Sequence, residues 1–425
     1  MSGNGIDFDR IDAQISQERI VDFFKSIVAV PSPRFEEEAV ARHIGNYMAG
    51  IGLSVSYETY TQGGITGYNV VGRFGNNTGG KRVILCAHMD TGSGQYKGLV
   101  FQPEKWTKEP LAGTLDGEFF YGLGTHNDKQ GVCCMVMAID AIVKSGIAID
   151  GEIVIAPVSA ETVGGVGAGH LVASGLTGDY AVVLEGTGLD VVPISVGKIR
   201  GRIIVRGEHQ HHSTHVNPNE TVRHVLEAFS PGYGDNRART YLTTEMAEPE
   251  LPNVPSAAIR WLQSDFESLD NVFAYYDIPV QPDQTPDSVR ADLERLLADL
   301  KSEHPDLRAD VEVSGWEPPL SENFIWGAPG TPVDSPIVTT VARHHELVRG
   351  EAPVIGSGRR YGAASDAGSF RRAGIPTIEY APGSIGPDGD LAAWPAVDER
   401  VRIKDVVDCT RILARACVEL ANDRT

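Results

Sequence analysis

The chain has 425 residues, of which 41% are hydrophobic and 22% are charged, values that are ordinary for a globular protein of two or three domains. Its 57 acidic and 37 basic residues give a formal net charge of −20. Because such a surface repels phosphate backbones and anionic lipids, we expect neither a nucleic acid nor a membrane as a partner.

The beginning of the sequence and its cysteines indicate a cytoplasmic protein. Residues 1–17 contain no basic segment followed by an apolar one, so we expect no signal peptide. The longest apolar stretch, 132–143, is too short to span a bilayer and contains Asp140. Five cysteines have neither zinc-site nor disulfide spacing, and we predict buried thiols in a reducing compartment: Cys86, Cys133, Cys134, Cys409 and Cys417.

The first half of the chain alternates predicted strands and helices. Residues 18–50 are predicted to be helical, with an interruption at Pro31–Pro33. Further along the chain, strands are predicted at 55–60, 69–74, 82–87, 151–158 and 181–184, and a helix over 131–143. Buried strands that alternate with helices indicate an α/β sheet with helices on its faces.

The pattern changes near residue 194. Residues 198–313 are predicted to contain the order strand, helix, strand, strand, helix, strand, which is typical of a small ferredoxin-like sheet covered by two helices. After about residue 332 the helix and strand alternation returns. We therefore predict an α+β domain at 196–319, inserted into an α/β domain formed by 1–195 and 320–425.

Acidic and imidazole side chains stand where the predicted strands end. His88 and Asp90 follow one strand, Asp128 precedes the helix at 131–143, and Glu161 and Glu185 follow the next two strands. A single carboxylate in such a place is usually a helix cap. Several of them together at the carboxyl ends of an open α/β sheet, where ligands bind, point to a divalent metal site.

These segments resemble the metallopeptidases that include aminoacylases, glutamate carboxypeptidases and succinyl-diaminopimelate desuccinylases. The similar motifs are AHMDTG, GLGTHNDKQG, ETVGGVGA, LEGTG, the NVP at 253–255 and the SDA at 365–367. The resemblance runs from about residue 20 to the C-terminus. It implies a zinc-aminopeptidase-like catalytic domain with an inserted lid and dimerisation domain.

The resemblance also implies roles for the residues at the strand ends. His88, Asp128 and Glu185 would bind a metal ion, and Asp90 would orient the His88 imidazole. Glu161 would be the general base.

The chain departs from the family at the second metal. Thr162 stands where the family has a glutamate ligand, and Pro395, beside Trp394, stands where it has a histidine ligand. Because both ligands belong to the same ion, we expect one divalent metal per chain, manganese or zinc. The alternative is that a displaced residue such as His126 restores a second site.

Substrate contacts are expected from four parts of the chain. Arg359 and Arg360 lie in a glycine-rich loop and could hold a carboxylate or nitro group, although an arginine pair is more often solvated at the surface. The other candidates are Asn253, Gly383 in the segment 381–384, and Trp394 as an aromatic wall.

The run HQHHSTH at 209–215 contains four histidines. By the resemblance, His211, or else His212, would reach the active site of a partner subunit and stabilise the oxyanion. The enzyme would then be at least a dimer through the inserted domain. The remaining histidines are expected in loops.

A site short of metal ligands favours a small substrate that chelates the ion, so we expect hydrolysis of a C–N bond in a carboxylate-bearing molecule. The preferred hypothesis is deamination of 5-nitroanthranilate to 5-nitrosalicylate and ammonia, by attack of water on the ring carbon. The alternative is an amide hydrolase of the aminoacylase or carboxypeptidase type. A second alternative, a non-catalytic binding protein, is disfavoured by the retained Glu161.

Overall fold

The structure is a computed structural model, and it divides the chain into two compact units. One unit comprises Met1–Ile194, Gly330–Arg360 and Ser365–Thr425, and the other comprises Ser195–Pro329 and Tyr361–Ala364. The residues that the structure describes are 5–62, 65–91, 103–162, 164–210, 213–232, 234–244, 257–264, 270–313, 329–356, 364–383 and 397–424.

The helices of the described residues are α1 (Phe8–Asp12), α2 (Gln17–Val28), α3 (Glu38–Gly50), α4 (Lys129–Ser145), α5 (Val166–Ala173), α6 (Pro218–Ala228), α7 (Pro286–Glu303), α8 (Pro336–Arg349), α9 (Ala367–Arg372) and α10 (Ile403–Ala421). The strands are β1 (Ser54–Gln62), β2 (Ile65–Gly75), β3 (Arg82–His88), β4 (Thr114–Asp116), β5 (Phe119–Tyr121), β6 (Glu152–Val158), β7 (Tyr180–Val183), β8 (Gly197–Arg206), β9 (Glu208–Gln210), β10 (Ser213–Val216), β11 (Ala258–Ser264), β12 (Asn271–Val280), β13 (Ala309–Glu312), β14 (Thr377–Glu379) and β15 (Arg400–Arg402).

The first unit is built on a six-stranded mixed sheet with the order β1-β2-β6-β3-β7-β14. Strands β6, β3, β7 and β14 are parallel, whereas β1 and β2 pair antiparallel at one edge. Strand β3 reads RVILCAH and is buried along nearly its whole length. Such a continuous apolar run is expected of a parallel strand covered by helices on both sides. The predicted α/β fold with a mixed sheet is confirmed.

Successive residues of β3 enter two separate apolar cores. Val83 and Leu85 pack with residues of α2, α4 and α10, whereas Ile84 and Cys86 pack with residues of α5 and α9. This alternation follows from the two-residue period of a strand. The carboxyl ends of β3, β6 and β7 are thereby fixed from both faces at one edge of the sheet.

A buried lysine connects the end of α2 to the start of α4. Lys129 is 1% exposed, and its Nζ donates to the carbonyl oxygens of Ile27 at 2.9 Å and Val30 at 2.8 Å. Burial lowers the pKa of Lys129 to about 7. In the unfolded chain a lysine titrates near its usual value of about 10.4.

Replacing this lysine should change how stability depends on pH. Between about pH 7 and pH 10 the unfolded chain binds more protons at Lys129 than the folded chain, so stability rises with pH there. Relative to Lys129→Met, the wild type should gain up to about 1.4 kcal/mol of unfolding free energy per pH unit in that window. Urea unfolding at a series of pH values measures this difference. Lys25→Met, at an exposed position of α2, is the control, and parallel pH curves for wild type and Lys129→Met would contradict the expectation.

The second unit contains an antiparallel four-stranded sheet with the order β11-β12-β8-β13. Residues of α6 and α7 share one apolar core with this sheet. One expectation was wrong: the histidine run does not form a simple loop, because it contributes to the short antiparallel hairpin β9–β10. Backbone hydrogen bonds form such a hairpin without an alternating apolar pattern, which is why no strand was predicted there.

The cysteines and the apolar character of the helices were also compared with the predictions. All five cysteines are buried and free, as their spacing predicted. Among the described residues, no helix combines the length and the apolar character that a bilayer crossing requires.

Candidate metal centre

The residues predicted at the strand ends meet at the carboxyl edge of the six-stranded sheet. His88 is the last residue of β3, Asp128 immediately precedes α4, and Glu185 follows β7 by two residues. All three side chains are buried. Their donor atoms lie within 4.8 Å of one another, and they are the only group of three or more His, Cys, Asp or Glu residues with this property in the part of the chain that the structure describes.

The imidazole of His88 is held with one nitrogen facing this cluster. Its Nδ1 lies 3.0 Å from the carbonyl oxygen of Asp90 and 3.4 Å from Asp90 Oδ1. Its Nε2 lies 3.7 Å from Glu161 Oε2 and 3.9 Å from Glu185 Oε2. Since Nδ1 faces acceptors and carries the proton, Nε2 is the nitrogen that could bind a metal.

Several buried carboxylates of the cluster repel one another. Burial raises the pKa of Asp128 well above its usual value, and Glu185 raises it further. Burial and Glu185 likewise raise the pKa of Glu161, although His88 opposes them. Burial alone would lower the pKa of His88, but the charges of Asp90, Glu161 and Asp128 outweigh it and raise that pKa. A divalent cation would neutralise this excess of negative charge, so the donor set fits a metal.

Thr162, which stands in place of the family's second-metal glutamate, is turned towards Asp90. Its Oγ1 donates to Asp90 Oδ2 at 2.6 Å, its backbone N–H donates to the same oxygen, and the N–H of Glu161 donates to Asp90 Oδ1. Burial would raise the pKa of Asp90, but His88 and the bonds from Thr162 lower it below its usual value. Asp90 therefore stays ionised and connects His88 to the turn that carries Glu161.

A buried glutamate supports the same turn from the other side. Glu37 is fully buried, and its Oε1 accepts hydrogen bonds from the N–H groups of Ala160 at 3.2 Å and Phe35 at 3.0 Å. Ala160 has a positive φ of 57°, which few non-glycine residues adopt. The N–H groups of Gly164 and Gly165 both donate to the carbonyl of Glu161. The Glu161 position is thus fixed by contacts on both of its sides.

The loop that carries Asp128 is held by Glu399. Its Oε2 accepts from the N–H of Gly124 at 2.9 Å, and its Oε1 accepts from the N–H groups of His126 at 2.8 Å and Asn127 at 3.1 Å. Asp128 itself accepts from the N–H of His88 at 3.2 Å and from Gln130 Nε2 at 3.0 Å. Glu399 therefore sets the path of the chain into α4.

Glu399→Gln should destabilise the protein and weaken metal binding. A glutamine turns an NH₂ group towards at least one of the three N–H donors, and a buried donor without a partner costs about 1–3 kcal/mol. We expect a loss of that size in guanidinium unfolding, together with a larger dissociation constant for Mn²⁺. Glu346→Gln, at an exposed position of α8, is the matched control. If Glu399→Gln unfolded at the same denaturant concentration as wild type, the role assigned to Glu399 would be wrong.

Of the remaining candidates from the sequence, Gly383 and His126 lie among the described residues. Gly383 is buried with a positive φ of 85°, and a Cβ there would come within 3.3 Å of the carbonyl oxygen of His126. His126 is not part of the His88, Asp128 and Glu185 cluster. Five of the candidate positions lie outside the described residues: His211, Asn253, Arg359, Arg360 and Trp394. Pro395 and His212 also lie outside them.

The family is decided by a match over most of the chain. Residues 84–419 match the model of peptidase family M20/M25/M40. The chain belongs to this family. It is therefore a metal-dependent hydrolase of the kind that cleaves amide or peptide C–N bonds, and members of the family bind divalent metals.

Individual relatives of this M20 chain are distant. It is 22% identical over 422 residues to N-formyl-4-amino-5-aminomethyl-2-methylpyrimidine deformylase of Bacillus subtilis, covering 93% of each chain. It is 23% identical over 412 residues to succinyl-diaminopimelate desuccinylase of Methylorubrum extorquens, covering 92% of this chain and 96% of the relative. Human carnosine dipeptidase 1 has the same fold, with a TM-score of 0.73, 15% identity, and coverage of 98% of this chain and all of the other.

Three residues of the centre were assigned no role from the sequence: Glu37, Asn127 and Glu399. Asn127 stands inside the GLGTHNDKQG motif, but the motif gives no reason to single it out. Glu399 acts on a loop more than 270 residues earlier. No local sequence pattern reports such a contact.

Proposed function

We propose that this M20 hydrolase works with a single divalent ion, held by His88, Asp128 and Glu185, and cleaves an amide bond in a small carboxylate-bearing molecule. The direction of the Thr162 hydroxyl supports a single ion. It donates to Asp90 and so orients the group that holds His88. Thr162, at the position of the family's second-metal glutamate, thus supports the imidazole that is proposed to bind the single ion.

The reaction follows from the positions of Glu161 and the cluster. A divalent ion in the cluster would polarise the scissile group and make an attacking water more acidic. Glu161 has Oε2 3.7 Å from His88 Nε2, at the border of the cluster. From that position it can take the proton from water and return it to the leaving nitrogen. Asp90 and Glu37 fix this carboxylate through the backbone of its turn.

An amide substrate has the better support. Two of the relatives above are named for the removal of a formyl group from an N-formyl pyrimidine and of a succinyl group from succinyl-diaminopimelate. We therefore propose that an N-acyl compound with a carboxylate is the substrate class, as in an aminoacylase. The predicted contacts of Arg359, Arg360, Asn253, Gly383 and Trp394 with the substrate remain part of this proposal.

Hydrolysis of an aryl amine is the second candidate. The absence of a glutamate at position 162 favours it, because an ion with few protein ligands has positions free for an ortho-amino benzoate. In 5-nitroanthranilate, water would add to the ring carbon that bears nitrogen, the nitro group would accept the electron pair, and ammonia would leave with the proton from Glu161.

A dimer through the second unit completes the proposal. Strand β11 is an edge strand of the four-stranded sheet, and Leu262 on it is 44% exposed. An edge strand that exposes an apolar side chain can pair with a strand of another chain. Light scattering should give a dimer for wild type and a smaller mass for Leu262→Lys, and a wild-type monomer with full activity would contradict this part of the proposal.

The substrate class is tested with the metal-stripped enzyme resupplied with Mn²⁺ or Zn²⁺. A panel of N-formyl, N-acetyl and N-succinyl amino acids is assayed beside 5-nitroanthranilate, with ammonia and free amine as readouts. Metal-dependent release of amine from an acyl compound supports the amide proposal. Release of ammonia from 5-nitroanthranilate alone would transfer the assignment to the second candidate, and no turnover of any compound would contradict both.

A further inference from the structure

The side chain of Asn127 lies against the metal-binding nitrogen of His88. Its Oδ1 is 2.5 Å from His88 Nε2, which is closer than either glutamate oxygen of the centre comes to that nitrogen. The motif that carries Asp128 therefore brings a second oxygen donor to the centre, from the residue immediately before it.

The orientation of the His88 ring shows which nitrogen Asn127 contacts. Because Nδ1 faces two oxygen atoms of Asp90, it carries the ring proton when the imidazole is neutral. Nε2 then presents a lone pair, and so does the amide oxygen of Asn127. A proton on Nε2 would be shared with this oxygen in the metal-free protein, and a bound cation would take the place of that proton.

The backbone of Asn127 is fixed independently of its side chain. Its N–H donates to Glu399 Oε1, which also holds the N–H of His126. The next residue, Asp128, belongs to the cluster with donor atoms within 4.8 Å. The backbone of Asn127 is therefore fixed by Glu399, so that its amide oxygen can be positioned before a metal ion binds.

We propose that Asn127 supplies its amide oxygen as a fourth protein ligand of the ion held by His88, Asp128 and Glu185. This inference rests on the single ion proposed above. An uncharged carbonyl oxygen is an accepted ligand of manganese and other hard cations. It would partly replace the ligands lost at Thr162 and Pro395 without adding another negative charge to a centre that already has several buried carboxylates.

A reversed Asn127 amide would have the opposite effect on metal binding. If the Asn127 amide were reversed, its NH₂ group would donate to Nε2 and compete with the metal for the same lone pair. Removing the side chain would then strengthen metal binding. If Asn127 is a ligand, removing its side chain should weaken metal binding.

The test is titration of the metal-stripped full-length chain with Mn²⁺ alone, by competition with a fluorescent chelator. For Asn127→Ala we expect a dissociation constant at least about tenfold larger than wild type, with one ion bound per chain. Asn127→Asp, which keeps an oxygen in place, should bind at least as tightly as wild type. Asn46→Ala, at an exposed position of α3, should match wild type.

A spectroscopic readout and a folding control accompany the titration. The visible absorption spectrum of the Co²⁺-loaded protein should differ between wild type and Asn127→Ala, because the ligand set changes. Thermal unfolding of metal-free Asn127→Ala should match metal-free wild type, since the backbone bonds to Glu399 remain.

The titration distinguishes the role of Asn127 from the number of ions bound per chain. Unchanged or tighter Mn²⁺ binding by Asn127→Ala, with one ion per chain, overturns the inference alone. Two ions bound per wild-type chain contradict the single-ion proposal and with it the inference.

Discussion

Glu161→Gln should lose activity by a factor of about 10²–10⁴ while the protein still folds and binds its metal, because positioned general acid–base catalysis contributes that much. Glutamine has nearly the same shape as glutamate but cannot accept a proton from water. The contacts that hold the turn are made through the backbone N–H and carbonyl of residue 161, and both remain in the variant. The loss should therefore appear in kcat, with metal content unchanged.

This expectation is checked by steady-state kinetics on the substrate found in the panel, with Mn²⁺ measured in each preparation. Glu104→Gln, at an exposed position of the first unit, controls for the loss of a negative charge. Activity within a few-fold of wild type in metal-loaded Glu161→Gln would show that another group transfers the proton. Loss of the metal together with activity would instead make Glu161 a ligand.

Asp128→Asn should abolish tight metal binding and, with it, activity. The carboxylate of Asp128 is buried in the cluster and accepts from the N–H of His88 and from Gln130. Asparagine keeps the size but removes the negative charge. Because even groups that only support a ligand change metal affinity by about 10–100-fold, loss of a charged ligand should exceed that range.

Although Asp128→Asn should weaken metal binding, it should not destabilise the metal-free protein. Burial and the neighbouring Glu185 raise the pKa of Asp128, so without metal the charged carboxylate destabilises the fold. We expect metal-free Asp128→Asn to melt at or above the temperature of metal-free wild type, and Mn²⁺ to stabilise wild type alone. Asp22→Asn, at an exposed position of α2, is the control. A variant that Mn²⁺ stabilised as strongly as wild type would remove Asp128 from the ligand set.

The elements that the sequence predicted best are those whose pattern follows from burial. Strand β3 is apolar along nearly all of its length because it has helices on both sides, and β6 has the same pattern. Since these strands are parallel neighbours, their ends had to meet at one edge of the sheet. The proximity of His88 and Glu161 could therefore be expected from the positions of the residues alone.

What the sequence missed depends on contacts between distant segments or on backbone pairing. Glu37 and Glu399 hold the two turns of the centre through backbone N–H groups, which every residue except proline has. The hairpin β9–β10 is likewise held by backbone bonds in a run of histidines. The effect of Thr162 was predicted as a loss only, because a sequence shows that a ligand is missing but not where the hydroxyl points.

The single ion is tested most directly by an anomalous difference map from crystals of the Mn²⁺-loaded protein. We expect one peak per chain, bounded by His88 Nε2, Asp128 and Glu185, with Asn127 Oδ1 beside it. A second peak near Thr162, about 3.5–4 Å from the first as in two-metal sites, would contradict it.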